Sequence, residues 1–96
     1  MNLGGAPMDP TPRYPWLASA LPLRQLARGG ARWDVLLQAE PHPDVGAIRG
    51  RLHFLSNDRH YATTWIFLEW TEKEVVDRAR RFSTGELWTF LDGLTA

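Results

Sequence analysis

The sequence predicts an α+β domain: a three-stranded antiparallel meander with two short C-terminal helices packed on one face, preceded by a short N-terminal helical segment. In three stretches between residues 32 and 70, apolar and polar side chains alternate, which is the period of a half-buried strand. Residues 71–94 instead place apolar side chains at helical spacing after two capping motifs. Strands followed by helices favour a sheet with its helices layered on one side.

The length and charge of the chain limit what it can do. Its 96 residues are enough for one domain, and eleven basic side chains balance eleven acids, so no overall field attracts nucleic acid or a membrane surface. We expect a single small domain over residues 16–96 and a flexible Pro/Gly-rich arm over residues 1–15. The chain has no cysteine and no long apolar run, which favours a cytoplasmic location without a membrane partner. Met1 and Met8 both remain possible starts.

Three stretches form the expected meander: residues 32–40, 47–55 and 61–70. If Asn57 and Asp58 form the second turn, Phe54 lies opposite Tyr61 and Gly50 lies opposite Trp65. In the first hairpin, Glu40 is placed opposite Ala47. Both hairpins then share one apolar face, which we expect the helices to cover and which includes Trp33, Trp65 and Phe67.

The second face of the sheet is expected to be mixed. It carries acids that meet arginines across strands and an apolar group consisting of Leu36, Ile66, Leu68 and Trp70. Such a group calls for a cover. Two covers remain open: residues 16–28, which include Trp16, or a second copy of the chain.

The helical segments are predicted from their ends. Residues 16–28 are expected to form a short helix, kinked at Pro22, that stops at Gly29 and Gly30. The sequences TEKE at 71–74 and STGE at 83–86 are capping boxes that start two further helices. Ion pairs at (i, i+4) spacing are expected for Glu74 with Arg78 and for Asp77 with Arg81, and Gly93 is expected to end the last helix.

No chemical motif for catalysis stands out. His53 and His60 are expected on one face near a hairpin tip, but two imidazoles without a third ligand do not make a zinc site. Serine and threonine side chains occupy turn and cap positions, and the chain has no nucleophile elbow or phosphate loop. We therefore expect no metal, no cofactor and no enzymatic activity.

The sequence favours a small, non-enzymatic protein-interaction module that forms a homodimer. Its expected interaction surface consists of Leu36, Ile66, Leu68, Trp70 and Trp16. The alternative is a single-stranded nucleic-acid-binding domain, in which exposed aromatic side chains stack on bases and the backbone is followed by Arg49, Arg51, His53 and Arg59. The balanced charge makes nucleic acid the less favoured partner.

Overall fold

A computed structural model describes residues 14–96 as an antiparallel sheet covered on one face by two helices. A 3₁₀ helix, Pro15–Ser19, precedes the elements β1 Leu21–Arg28, β2 Ala31–Pro41, β3 Ile48–Ser56, β4 Arg59–Ala62, β5 Phe67–Glu69, α1 Glu72–Arg80 and α2 Thr84–Thr95. The strands are ordered β1-β2-β3-β4, and β5 pairs with β3. The predicted α+β class with two helices is confirmed, whereas the count of three strands is wrong. The expected flexible arm falls almost entirely outside the described residues.

The predicted helix over residues 16–28 is wrong beyond Ser19, because the rest of this segment forms β1. Gly29 and Gly30 have φ angles of 59° and 83°. These left-handed values are those of a two-residue hairpin turn, and they join β1 to β2. Pro22 fits because β1 is an edge strand, where a missing N–H need not break the sheet.

The pairing of β2 with β3 is shifted by two residues from the prediction. Glu40 lies opposite Arg49 rather than Ala47, and Val35 lies opposite Phe54. Side chains alternate with a period of two, so this shift leaves each of them on its predicted face. The extra residues lie in the loop after β2, where the His42 N–H donates to the Ala47 carbonyl at 2.8 Å.

The last predicted strand is interrupted between β4 and β5. The Thr63 N–H donates to the Leu52 carbonyl at 2.9 Å, and the Thr63 hydroxyl accepts the Leu52 N–H at 3.0 Å. Thr63 lies beside Leu52, whereas Phe67 pairs with Gly50. The chain therefore advances four residues from Thr63 to Phe67 while β3 advances only two. This bulge breaks the alternation of faces between the two strands.

Two side-chain placements are wrong because of that bulge. Trp65 was expected in the core, but its ring lies on the second face, 4.0 Å from the Arg49 guanidinium carbon and 4.4 Å from that of Arg51. Ile66 was expected on the second face, but it packs against the core. The predicted pairing of Phe54 with Tyr61 lies before the bulge and is confirmed, whereas the predicted pairing of Gly50 with Trp65 is wrong, since Gly50 lies opposite Phe67.

The core lies between the sheet and the two helices. Its buried members are Leu26, Trp33, Val35, Leu37, Leu52, Phe54, Phe67, Val75, Ala79, Leu87 and Leu91. Gly50 is where α1 comes closest to the sheet: a Cβ there would lie 2.7 Å from Cγ1 of Val75 and 3.2 Å from the Phe67 ring. Glycine at this position therefore permits the close approach of helix and strand.

The helix ends agree with the prediction in part. Ser83 and Glu86 form the complete capping box of α2, and the Thr71 hydroxyl accepts the Glu74 N–H at 3.1 Å at the start of α1. The expected stop at Gly93 is wrong, since α2 continues to Thr95.

The predicted ion pairs along α1 are also wrong. Asp77 pairs with Lys73, and Arg78 pairs with Glu69 of β5. Because β5 lies beside α1, its carboxylate competes successfully for Arg78, and the Glu74 carboxylate instead accepts from the Thr71 hydroxyl.

Candidate functional site

The second face of the sheet, on the side opposite the helices, divides into three parts. An aromatic cap closes one end, a hydrogen-bonded polar network occupies the middle, and the other end is open and apolar. The middle part is built from side chains that alternate with core residues along β2 and β3, and the two ends add residues from the 3₁₀ helix, β4, β5 and the loop after β2.

A histidine pair lies at the closed end. His53 on β3 and His60 on β4 place Nδ1 of the first ring 2.8 Å from Nε2 of the second. Their association on one face near the hairpin tip agrees with the sequence prediction. The turn beside them depends on Asn57, which takes a left-handed φ of 53°, a conformation that asparagine tolerates better than most residues.

Gln38 on β2 fixes the proton positions of this pair. Its Oε1 accepts from Arg51 Nε at 2.9 Å, and because arginine only donates, the oxygen must face Arg51. The same oxygen lies 2.7 Å from His53 Nε2, which therefore donates to it. Burial and the charges of His60 and Arg51 lower the pKa of His53 to about 4. The ring is thus neutral at pH 7, and its Nδ1 accepts from His60.

The 3₁₀ helix caps the histidine pair. The Trp16 ring stacks on His53 at a centroid distance of 3.6 Å and an interplanar angle of 13°, and it lies 5.0 Å from His60. Tyr14 lies 5.0 Å from the His60 ring. Burial and the charge of Arg51 also lower the pKa of His60. The question of the cover is therefore answered at this end of the face: the N-terminal segment provides it.

The buried state of His53 limits its chemistry. Its side chain is 1% exposed, and both ring nitrogens already have hydrogen-bond partners. Within residues 14–96, no three His, Cys, Asp or Glu side chains come close enough together to hold a metal ion. The arrangement buries the His53 imidazole and holds the partly exposed His60 ring against it.

The middle of the face is a chain of paired groups. Arg49 donates to the Glu40 carboxylate, Gln38 donates to the same carboxylate at 3.3 Å, and Arg51 donates to Gln38. The Trp65 ring lies against both guanidinium groups. These contacts occupy some of the N–H groups and part of the planar surface with which arginine recognises phosphate or bases.

The structure brings together only some of the residues of the nucleic-acid alternative. Arg49 and Arg51 lie together but are engaged, and His53 is buried beneath Trp16. Arg59 is exposed near the hairpin tip, where its guanidinium carbon lies 4.8 Å from the Trp33 ring on the core side.

The open end carries the exposed large hydrophobic side chains of the described residues. Val45 in the loop after β2, Leu68 on β5 and Trp70 after β5 are 51%, 55% and 77% exposed. They line a hollow of about 380 Å³ together with Gly46, Ala47 and Glu69. We call Val45, Leu68 and Trp70 the open patch.

The open patch differs from the surface expected from the sequence. Leu68 and Trp70 are exposed as expected, but Leu36 is 7% exposed and Ile66 packs against the core. Leu36 lies with Leu17 and Leu55 in the lining of a hollow of about 550 Å³, so the N-terminal segment shelters it. Trp16 lies on the histidine pair at the closed end, not in the patch.

Sequence reasoning missed Val45. The segment PHPDVG at 41–46 has turn composition, which predicts a solvent-exposed loop and gives its one large apolar residue no role. The available signal was a branched apolar side chain at the end of an otherwise polar turn. Singly exposed apolar residues are common, so this signal gains meaning only from the neighbouring residues in space.

Comparisons with protein-family models, with curated proteins and with solved structures find no match to this chain. Among residues 14–96, no helix has both the length and the apolar character needed to cross a membrane.

Proposed function

We propose that this chain is a non-enzymatic, cytoplasmic protein-interaction module that docks its partner on the open patch. The observation that carries the proposal is the clustering of Val45, Leu68 and Trp70 around one hollow. Together they expose roughly 300–400 Å² of apolar surface, the size of the largest patch on many monomers and often a functional one. The cytoplasmic location rests on the cysteine-free sequence.

The contrast between the two ends of the second face supports this proposal. At the closed end, Trp16 shields the apolar and imidazole surfaces within the same chain. At the open end, the described part of the chain leaves Trp70 77% exposed. Tryptophan is enriched at the energetic centres of protein interfaces, because its large ring buries much area at little entropic cost.

Photo-crosslinking in the native host tests the proposal. A benzophenone side chain is placed at position 68 in one variant and at position 89 in a matched control, since Leu68 and Thr89 are both exposed but lie on the patch and on α2, respectively. We expect a discrete crosslinked protein from position 68 that disappears in the Trp70→Glu background, and none from position 89.

The same variants are irradiated as purified protein to detect a second copy. A crosslinked homodimer from position 68 assigns self-association to the patch. The absence of any discrete product from position 68, in the host and in purified protein, would refute the docking proposal.

A further inference from the structure

We infer that the occupant of the open patch is an extended segment of another protein in which apolar side chains alternate with arginine or lysine, not a second copy of this chain. This inference rests on the proposed function and specifies its partner. It follows from the charges around the patch, the area of the patch and the adjoining sheet edge.

Two unpaired acids lie next to the residues of the open patch in the chain. Asp44 precedes Val45, and Glu72 follows Trp70 by two residues. Both side chains are exposed, and the ion pairs of the described residues include neither. The nearby cations are already neutralised, by the pairs Arg49–Glu40, Arg78–Glu69 and Lys73–Asp77. A basic partner therefore gains electrostatic complementarity that an acidic one lacks.

A second copy fits this border poorly. A two-fold contact places the same surface on both sides, so Asp44 and Glu72 would face a like-charged border. Among residues 14–96, six arginines lie outside the ion pairs. Arg80 and Arg81 lie at the C-terminal end of α1, Arg24 and Arg32 lie on the β1–β2 hairpin, Arg59 begins β4, and Arg51 donates to Gln38 in the middle of the face. None of these arginines lines the hollow of the open patch, so none is placed to offset that repulsion at its centre.

The area of the patch also disfavours a stable homodimer. Two copies meeting through the open patch alone would bury roughly 700 Å² in total, which is below the approximately 1,200 Å² of the smaller stable interfaces. A flexible segment that continues past the patch along the sheet edge gains additional contacts without this limit.

The edge next to the patch suits an extended segment. β5 pairs with β3, and no further strand of the described chain lies beyond it. Unpaired edge strands accept an added strand through main-chain hydrogen bonds. Leu68 lies on β5 and Trp70 follows its last residue, so both side chains lie beside this edge, and alternate apolar side chains of an added segment can reach them. The intervening side chains are then available for arginine or lysine.

Two designed peptides test the inference directly. One is about nine residues long and alternates leucine or tryptophan with arginine, and its matched counterpart has glutamate in place of arginine. Amide chemical shifts of the ¹⁵N-labelled full chain are followed during titration with each peptide. We expect the arginine peptide to shift the amides of residues 44–47 and 68–72 and to bind at least about ten-fold more tightly than the glutamate peptide.

Variants identify the groups responsible. The double substitution Asp44→Asn with Glu72→Gln should weaken the arginine peptide about ten-fold, whereas Asp58→Asn, in the exposed turn between β3 and β4, should leave its affinity unchanged. Raising the salt concentration from about 50 mM to about 500 mM should weaken the wild-type complex and have less effect on the double variant. The amide spectrum of each free variant reports whether the fold is retained.

Other outcomes overturn the inference in distinguishable ways. Equal binding of both peptides at the patch would refute the basic partner class while leaving the docking surface in place. A homodimer crosslinked through position 68, with neither peptide bound at the patch, would identify a second copy as the occupant. Absence of peptide binding together with absence of any crosslinked product would remove the proposed function as well.

Discussion

Acidification should destabilise the fold through His53. The ordinary pKa of 6.5 falls to about 4 in the folded chain, first through burial, then through the charges of His60 and Arg51. The unfolded state therefore binds more protons between these values, and stability falls as the pH drops from about 6.5 to about 4. At about 1.4 kcal/mol per pKa unit, the full loss is about 3 kcal/mol. His60 acts in the same direction, because burial also lowers its pKa.

Urea unfolding at several pH values from about 4.5 to about 7.5 measures this loss. Carboxylates also titrate near the lower limit, so the informative quantity is the difference between wild type and His53→Gln. We expect the variant to be less stable at pH 7 and to lose less stability on acidification. His42→Gln removes a loop imidazole outside the network and should retain the slope that His53 produces. Equal slopes in wild type and His53→Gln would refute the structural account of this pair.

Four further substitutions test the packing and the helix cap, each by denaturant unfolding of the full chain. Gly50→Ala should cost roughly 1–3 kcal/mol, because its Cβ would lie 2.7 Å from Val75, whereas Gly93→Ala in α2, with no atoms within 4 Å, should stabilise by roughly 0.5–1 kcal/mol. Equal effects at the two glycines would contradict the close approach of α1. Phe54→Ala should cost roughly 3–5 kcal/mol by opening a cavity in the core, and a loss under 1 kcal/mol would place that ring elsewhere. Ser83→Ala should cost about 1 kcal/mol by removing the cap of α2, and an unchanged stability would show that the capping box is not formed.

The faces of β2 and β3 were predictable because their pattern repeats over many residues. Alternation fixes which side chains share a face, even when the predicted pairing is wrong by two residues. Glu40 was predicted opposite Ala47 but lies opposite Arg49, and its face is unchanged. The capping box at Ser83 was equally local, since Ser83 and Glu86, within four residues of the chain, determine it. Features of this kind require no knowledge of distant contacts.

β1 was not predicted, because the same residues also fit a short helix. Leucines at 17, 21, 23 and 26 approximate helical spacing, and glycine is common after a helix. However, two glycines between two apolar stretches are also the signal of a hairpin with two left-handed residues, which is the turn that forms. Pairing with β2 then decides in favour of the strand, since tertiary context overrides weak helical propensity.

The bulge before β5 had no local signal. Residues 61–70 read as one continuous strand, and the interruption depends on the Thr63 side chain accepting the Leu52 N–H, a contact between distant parts of the chain. Its consequence reaches the candidate site. Trp65 turns toward Arg49 and Arg51, Ile66 turns toward the core, and the expected patch is reduced to Leu68 and Trp70, with Val45 joining from the loop.

Hydroxyl-radical footprinting of the full chain, purified and inside its native host, tests the central claim most directly. Labelling at Trp70 and Leu68 should be high in the purified protein, because both side chains are exposed, and should fall several-fold in the host if a partner covers the open patch. Phe90 on α2, half-buried and distant from the patch in the chain, serves as the internal control and should be labelled equally in both settings. Equal labelling of Trp70 in the purified protein and in the host would contradict a docking role for this surface.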